Sequence, residues 1–265
     1  MKFIRLIAFL IVLILDTVNE TNAQTANTEA PIKKLNLFVG GGVALTQQYE
    51  GSNRFLTIPS LVVNASWISG QYIRLSPIGL DANILSNKNW EFGPRIRFIL
   101  PRNDNIVDQA QVSQLEDLNF STLLGLFGRY KFAKGFDLKI EYIHDIFGVS
   151  DGGFANLEFG YTLRKRRLIT RFALLNSYAT DNYMTTYFGV NAQNLGTSTL
   201  PNYNIEAGIK DVGFRITPTY IINQKWMLTG VLGFRRLLGD VADSPLIQVG
   251  SENQFIGGLA FLYRL

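Results

Sequence analysis

The sequence predicts an all-β protein, a transmembrane antiparallel up-and-down β-barrel made after removal of a signal peptide. Three observations carry that prediction. Long segments alternate apolar and polar residues, aromatic side chains recur where those segments end, and the chain opens with the layout of a secretory signal. With 265 residues, 47% hydrophobic, 12% aromatic and only 17% charged, the chain is too apolar for disorder and long enough for one large domain.

The opening element is Met1, Lys2, Phe3, Ile4, Arg5, then the apolar run Leu6 to Leu15, then a polar stretch ending at small Ala23. That is the charged, apolar and small-residue order of a signal peptide, so residues 1–23 are predicted to be cleaved and 24–265 to form the barrel. Ten apolar residues rise about 15 Å as a helix, well short of a hydrocarbon core of roughly 30 Å. Every later apolar stretch is interrupted by charge, Gly or Pro. There is no cysteine, so disulfides, a lipidated cysteine and thiol chemistry are excluded. The signal removes Lys2, Arg5, Asp16 and Glu20, so the remaining chain keeps the formal +4, a small excess with no basic helix or nucleic-acid module.

The strands are read in order at 35–45, 55–67, 71–85, 90–101, 118–132, 135–146, 153–164, 167–178, 209–222, 225–238 and 253–265. The first contains Gly40, Gly41 and Gly42, which in a strand permit curvature or close backbone approach; the helix and spacing of a nucleotide loop are missing. The fourth sets Trp90, Phe92, Ile96 and Phe98 against Glu91, Arg95 and Arg97. The sixth sets Phe136, Leu138, Ile140 and Tyr142 against Asp137, Lys139, Glu141 and Asp145. Leu157, Phe159 and Tyr161 oppose Asn156 and Glu158, while Val212, Phe214, Ile216 and Tyr220 oppose Asp211, Arg215, Thr217 and Thr219. The last strand runs to the final residue, Leu265, as a strand does that must close a barrel against the first.

A soluble sandwich would turn the apolar faces together, and a transmembrane barrel would turn them to lipid. Length decides for the barrel, because these segments exceed the usual five or six residues and match the roughly 9–11 that cross a bilayer at a tilt. Trp67, Tyr72, Trp90, Tyr130, Phe132, Tyr161, Tyr220, Trp226 and Tyr263 fall where interfacial aromatics belong. Tight turns such as "FAKGF" and "INQK" alternate with long polar loops such as "PRNDNIVDQAQVSQLED". Eleven segments are odd where single-chain bacterial barrels are even. The segment 71–85 changes phase, with Ile73 and Leu75 apolar on odd positions and Leu80, Ala82 and Ile84 on even ones. Either a turn there, or a bulge there with a further strand in 179–205, gives twelve; a lost strand gives ten. Twelve is the expected number.

The polar faces place Arg74, Arg95, Arg97, Arg129, Lys131, Lys139, Arg171, Arg215, Arg235 and Arg264 in the lumen with Glu91, Asp137, Glu141, Glu158 and Asp211. So many enclosed charges need pairing or water, so the lumen is expected to be laced with ion pairs or filled by an inward loop, with 179–205 the plug candidate.

Three stretches, "DNYMTTYFGV" (181–190), "AGIKDVGF" (207–214) and "RRLLGDVADSPLIQVGSENQFIGGLAFLYRL" (235–265), resemble the MipA/OmpV family, with "YEGS" (49–52) and "GPR" (93–95) fitting as well. The resemblance implies an outer-membrane barrel of the bacterial envelope. For the family's namesake, the MltA-interacting protein, it implies a scaffold between a lytic transglycosylase and a peptidoglycan synthase. The motif positions to which a structural or partner role attaches are Tyr49, Glu50, Gly51, Ser52, Tyr183, Tyr187, Phe188, Lys210, Asp211, Gly239, Asp240, Asp243, Ser244 and Pro245. The last residue, Leu265, stands where the terminal strand of outer-membrane proteins usually has an aromatic.

In "GDVADSPL", Gly239 and Pro245 suit a turn, and Asp240, Asp243 and Ser244 are expected to cap local backbone groups. Glu50 lies in a separate loop from Asp240 and Asp243, and none of the three has His or Cys beside it, so no metal or cofactor is expected. The basic turn Arg164–Arg167 reads as a solvated hairpin, with acidic partners or lipid headgroups the alternative. His144 is the one histidine, on the apolar parity near a strand end, followed by Asp145 and Ile146 with no serine placed to serve as nucleophile.

The expectation is therefore a non-enzymatic outer-membrane scaffold, with a narrow solute channel, a lipid-modifying hydrolase built on His144 or an adhesin as alternatives. Its expected partners are outer-membrane lipid and lipopolysaccharide, the barrel-assembly machinery, and a murein hydrolase and peptidoglycan synthase, with no nucleic acid.

Overall fold

The computed structural model describes residues 35–265; the predicted signal peptide, 1–23, lies outside them. The twelve strands are β1 (Leu35–Gln47), β2 (Phe55–Trp67), β3 (Tyr72–Ser76), β4 (Gly79–Asn83), β5 (Trp90–Ile99), β6 (Ser121–Ala133), β7 (Phe136–Asp145), β8 (Gly153–Lys165), β9 (Leu168–Ala179), β10 (Gly208–Ile221), β11 (Trp226–Leu237) and β12 (Asn253–Arg264). Each pairs antiparallel with its neighbours in sequence, and β12 returns to β1, closing the sheet. Closure leaves no free edge at the seam where β1 meets β12, with Val39 opposite Tyr263 and Leu45 opposite Gly257.

The phase change in 71–85 is a hairpin turn at Pro77 and Ile78, which separates β3 from β4 and supplies the twelfth strand. Residues 179–205 contribute no strand; they hold α2 (Asp181–Phe188), while α1 (Ala110–Ser113), α3 (Asp240–Asp243) and α4 (Pro245–Gln248) lie in other loops. Among the described residues no helix is long and apolar enough to cross a membrane, so the strands are the crossing elements.

Alternation fixes which face meets lipid. Along β7, Phe136, Leu138, Ile140 and Tyr142 are exposed while Asp137, Lys139, Glu141 and Ile143 are buried. His144 lies on the outer face beside Tyr142, whose hydroxyl is 3.4 Å from its Nδ1. At the end of the barrel that carries the tight turns, an aromatic girdle forms. Trp90 stacks on Tyr130 at 4.4 Å, Phe132 bridges to Phe136 at 6.3 Å, Phe136 meets Tyr161 at 4.5 Å, and Trp226 meets Tyr263 at 4.9 Å. Tyr72 corrects the sequence reading. It shares the lumen parity of Arg74, is buried, and donates its hydroxyl to Glu91 at 2.9 Å.

Three prolines sit inside strands, and each coincides with a gap in a ladder. The β4–β5 ladder ends at Asp81–Arg95, one residue short of Pro94. The β10–β11 ladder is interrupted between Ile216 and Thr219, around Pro218. Pro59 lies in the part of β2 that has β1 on one side only. Having no N–H, proline is tolerated in a sheet where no ladder bond is required.

The two ends differ in charge. The tight turns 68–71, 84–89, 134–135, 166–167 and 222–225 contain Lys88, Lys134, Arg166, Arg167 and Lys225 and no carboxylate. The loops at the other end hold Glu50, Asp104, Asp108, Glu116, Asp117, Asp151, Asp181, Glu206, Asp240, Asp243 and Glu252 against only Arg54 and Arg102. Short turns mark the periplasmic end of such barrels and long loops the outer end. The alternation has one exception, because the outer connection between β3 and β4 is the two-residue turn Pro77–Ile78.

Candidate functional site

The outer end is closed by a cap with a hydrophobic core of its own. Loop residues Tyr49, Val107, Val112, Leu115, Tyr183, Met184, Phe188, Val190, Leu200, Val241, Leu246 and Ile247 pack together, and Leu123, Ile143, Phe154 and Ala179 from the strand ends join them. The plug is thus shared among several loops and not confined to 179–205. Ser244 Oγ donates to the Phe188 carbonyl at 2.5 Å, tying the loop after β11 to the end of α2. Gly51 has φ +108, and a Cβ there would fall 2.0 Å from Ile247 Cδ1, so the position accepts only glycine. Its N–H donates to Gln254 Oε1 at 3.0 Å.

Burial shapes the titration of the cap. The Tyr49 phenol is pushed up to about 12 by burial, against the pull of Arg102. Burial brings the Arg102 guanidinium down to about 10, opposed by Tyr49, Tyr187 and Asp117. Tyr183 is held well above the ordinary phenol range by burial and then by Glu50, and burial also raises Tyr187. Arg102 donates to the Tyr187 carbonyl at 3.3 Å, which ties the β5–β6 loop to α2.

Cap and lumen meet at Lys210. Neighbouring residues of a regular strand point to opposite faces, yet Lys210 and Asp211 are both buried. The reason is a bulge between Ile209 and Asp211 in the β9–β10 ladder, which turns both inward. Lys210 Nζ stands 3.1 Å from Asp211 Oδ2 and also bonds Glu50 of the first outer loop. Glu50 accepts from the Tyr183 hydroxyl at 3.1 Å. The motif stretches around residues 50, 183 and 210, distant in sequence, therefore make one contact.

From Asp211 the polar chain descends. Arg235 reaches Asp211 at 2.6 Å and Ser177 at 2.7 Å, and Ser177 donates to Asn156 at 2.5 Å. Asn156 donates to Glu141 at 2.8 Å, and Glu141 holds Lys139 at 2.5 Å and Arg95 at 3.0 Å. A second cluster lies nearer the turns. Glu158 binds Arg171 at 2.5 Å and also Arg215; Asp137 lies 2.7 Å from Arg171 and 3.3 Å from Arg129; Glu91 binds Arg129 at 2.9 Å and Lys131 at 2.5 Å. Arg97 is different, for it makes no ion pair within 4 Å among the described residues; the Phe154 ring lies 5.6 Å from it, and the carboxylate that acts on it is Glu141, which Lys139 and Arg95 already hold.

The opposite wall is apolar. On the lumen parity of β1, β2 and β12 stand Gly40, Gly42 and Ala44, then Ile58, Ser60 and Val62, then Ile256, Gly258, Ala260 and Leu262, so Ser60 is the one polar side chain in this run. The lumen therefore has one charged side and one side of small and aliphatic residues.

This geometry, a closed barrel with an apolar outer belt and a charged lumen, has a sequence family behind it. The model of the MltA-interacting protein MipA matches residues 39–265. The chain belongs to the MipA family. Its barrel is that of a bacterial outer-membrane protein. No curated protein sequence matches it. Among solved structures the chain is similar to an outer membrane channel of Pseudomonas putida F1, at 8% identity and TM-score 0.42, covering 91% of this chain and 100% of that one. It is also similar to a FadL homologue of Pseudomonas aeruginosa, at 8% identity and TM-score 0.34, covering 87% and 89%.

Within the family's motifs the structure gives different positions different work. Tyr49, Gly51, Tyr183, Tyr187, Phe188 and Ser244 build the cap, and Glu50, Lys210 and Asp211 join it to the lumen. Ser52 Oγ accepts from the Arg54 N–H at 3.0 Å. Asp240 and Asp243 do not cap local backbone as expected. Their side chains are exposed and accept no hydrogen bond among the described residues, because α3 begins at Gly239, φ +53, with no side-chain cap. Pro245 opens α4, where a missing N–H costs nothing. Among the described residues no group of metal-ligating side chains occurs. Sequence reasoning passed over Ser177, Gln254 and Asp81, the last 3.5 Å from Arg95; each is a single polar residue whose partner lies on another strand or, for Gln254, in the first outer loop.

Proposed function

We propose that this outer-membrane barrel acts without catalysis as an envelope scaffold, offering its periplasmic end to a murein hydrolase and a peptidoglycan synthase. The observation that carries the reading is the periplasmic rim, where Lys88, Lys134, Arg166, Arg167 and Lys225 stand with no carboxylate in any of the five turns. Such a rim attracts acidic surfaces and fixes their approach. The capped, ion-paired lumen fits a barrel whose business is at its rim, and the family's description names an interaction with a partner enzyme. Lipopolysaccharide at the outer face and the barrel-assembly machinery complete the set of partners.

The test is crosslinking in intact cells through a tagged outer loop. Capture of a lytic transglycosylase or synthase, lost when Lys88, Lys134, Arg166 and Lys225 are changed to Glu, supports the scaffold. Capture of lipopolysaccharide and other barrels alone, at full crosslinking yield, rejects it.

A narrow channel is the second reading. It is favoured by the half-exposed lumen residues of β1 and β2, such as Ala44, Ile58 and Val62, which border space inside the barrel. Large stable conductance in planar bilayers would select it.

A further inference from the structure

We propose that the barrel wall contains a lateral window through which a single-chain anionic amphiphile enters the lumen from the outer leaflet, with Arg97 receiving its charged end. The window follows from the short β3–β4 hairpin. β2 pairs with β1 along its whole length, Phe55 to Trp67, but with β3 only from Val63 to Ser66. Residues 55–62 therefore form an open edge on the side away from β1, and among the described residues no hydrogen bond reaches them from that side. At about 3.3 Å per residue the open stretch is about 26 Å long.

The frame is defined on every side. Its sill is the turn Pro77–Ile78, fastened to β5 by the Phe98 N–H donating to the Ile78 carbonyl at 3.1 Å. Its lintel is the β5–β6 loop, which crosses to the top of β1, where Gln48 Nε2 donates to Asp108 at 2.7 Å and the Asp108 N–H returns a bond to Gln48 at 3.2 Å. At membrane depth an open edge persists only where it lines a wet cavity or meets protein. Pro59, lying in that edge, has no N–H to give and so opposes capture of another strand. A non-peptide occupant remains.

Its chemistry is written on the two sides of the lumen. Inside the window the lumen parity of β2 and β1 offers Ile58, Val62, Ala44 and Gly42 with the small Ser60 between them and no ionisable side chain, a track for an alkyl chain. Across the sill stands Arg97, opposite Gly79 at the base of the hairpin turn. Its neighbours in the lumen, Arg95, Arg129, Arg171, Arg215 and Arg235, all hold carboxylates; Arg97 has the Phe154 ring 5.6 Å away and makes no ion pair within 4 Å among the described residues, the carboxylate that acts on it, Glu141, being already held by Lys139 and Arg95. An enclosed guanidinium with no anion in hydrogen-bond reach is costly, and a carboxylate or phosphate head relieves it with charge-assisted hydrogen bonds.

The test uses the full chain purified in non-ionic detergent, with palmitate and methyl palmitate as probes. Palmitate is expected to bind saturably and the uncharged ester about tenfold or more weaker. Arg97→Gln is expected to abolish that preference and Arg97→Lys to restore most of it. Ile58→Trp, which fills the track while leaving every charge in place, is expected to remove binding of both probes, and it serves if the arginine variant does not fold. Equal binding of acid and ester, or an unchanged palmitate affinity in Arg97→Gln or Ile58→Trp, overturns the proposal. So does a purified protein that is a dimer, dissociated by changes at residues 55–62, because a second copy would then fill the edge.

Discussion

Lys210 of β10 bonds Glu50 of the first outer loop, 160 residues away in sequence, while standing 3.1 Å from Asp211 beside it. The ammonium is buried, so it is the joint between a cap that belongs to the loops and a network that belongs to the strands. Removing one member of a buried ion pair costs about 3–5 kcal/mol because the partner's charge remains. Lys210→Met is therefore expected to loosen the cap, with Glu50 released and Asp211 left to Arg235. Limited proteolysis should then cut within residues 190–205 faster than in the parent protein, and an equally resistant cap would count against the joint.

Alkali should loosen the same cap. The Tyr49 phenol is favoured neutral in the folded state, with its value pushed up to about 12 from the ordinary 10.0. Its contribution is complete below pH 10 and is lost as pH rises through about 12, worth about 2–3 kcal/mol at two units. Tyr183 and Tyr187 are raised in the same sense. Arg102 works oppositely, since its charge, brought down to about 10, costs stability at neutral pH and less above it. Three phenols against one guanidinium give a net loss above pH 10. Phenolate absorbance and tryptic cutting, followed together, should change in that window. The Tyr49 hydroxyl is buried with no hydrogen-bond partner among the described residues, so Tyr49→Phe should keep or raise neutral stability, by about 1 kcal/mol, and flatten the alkaline loss.

Closure of the ring depends on glycine. A Cβ on Gly42 would lie 1.8 Å from the Leu259 carbonyl oxygen and one on Gly40 would lie 1.9 Å from that of Phe261, both backbone atoms of β12 that cannot step aside. Gly42→Val is expected to prevent the first and last strands from meeting. The heat-modifiable mobility of the folded barrel in electrophoresis should be lost, whereas Gly41→Ala, with its nearest contact at 3.7 Å, should retain it.

Glu158 is the hub of the lower lumen, shared by Arg171 and Arg215, with Arg129 3.9 Å away. Glu158→Gln leaves those guanidinia facing one another with one carboxylate fewer. The expected result is a loss of about 3 kcal/mol in chemical unfolding, recovered in part by Arg215→Gln in the same chain, because the pair shares one interaction.

The sequence made the barrel legible wherever one strand suffices to show it. Alternation in β7 and β8 separates lipid from lumen without reference to any other residue, and the phase change at Ser76 to Gly79 marks the turn that makes twelve strands. Contacts between strands were less accessible. Tyr72 looks interfacial by composition, and only its register opposite Asn83, next to Glu91, turns it inward. The bulge at Lys210 breaks the very alternation from which inward residues are read, so Asp211 follows from the pattern while Lys210 follows only from the family motif. The cap was hardest to read, because loops without period give no sign of sharing a core until Ser244 is seen on Phe188.

The unequal charge of the two ends has a consequence for how the molecule lies in its membrane. Carboxylates gather beyond one edge of the apolar belt and only cations stand in the turns beyond the other, so the barrel carries an electric axis along the membrane normal. Inverted, it would present its acidic loops to the periplasm and its cationic turns to the outside, so charge alone tells the two orientations apart. In salt near physiological strength, fields fade over about 8 Å, while the apolar belt of such barrels is about 25 Å tall. Each face is therefore electrically blind to the other, and surface charge outside can change without altering what the inner face attracts.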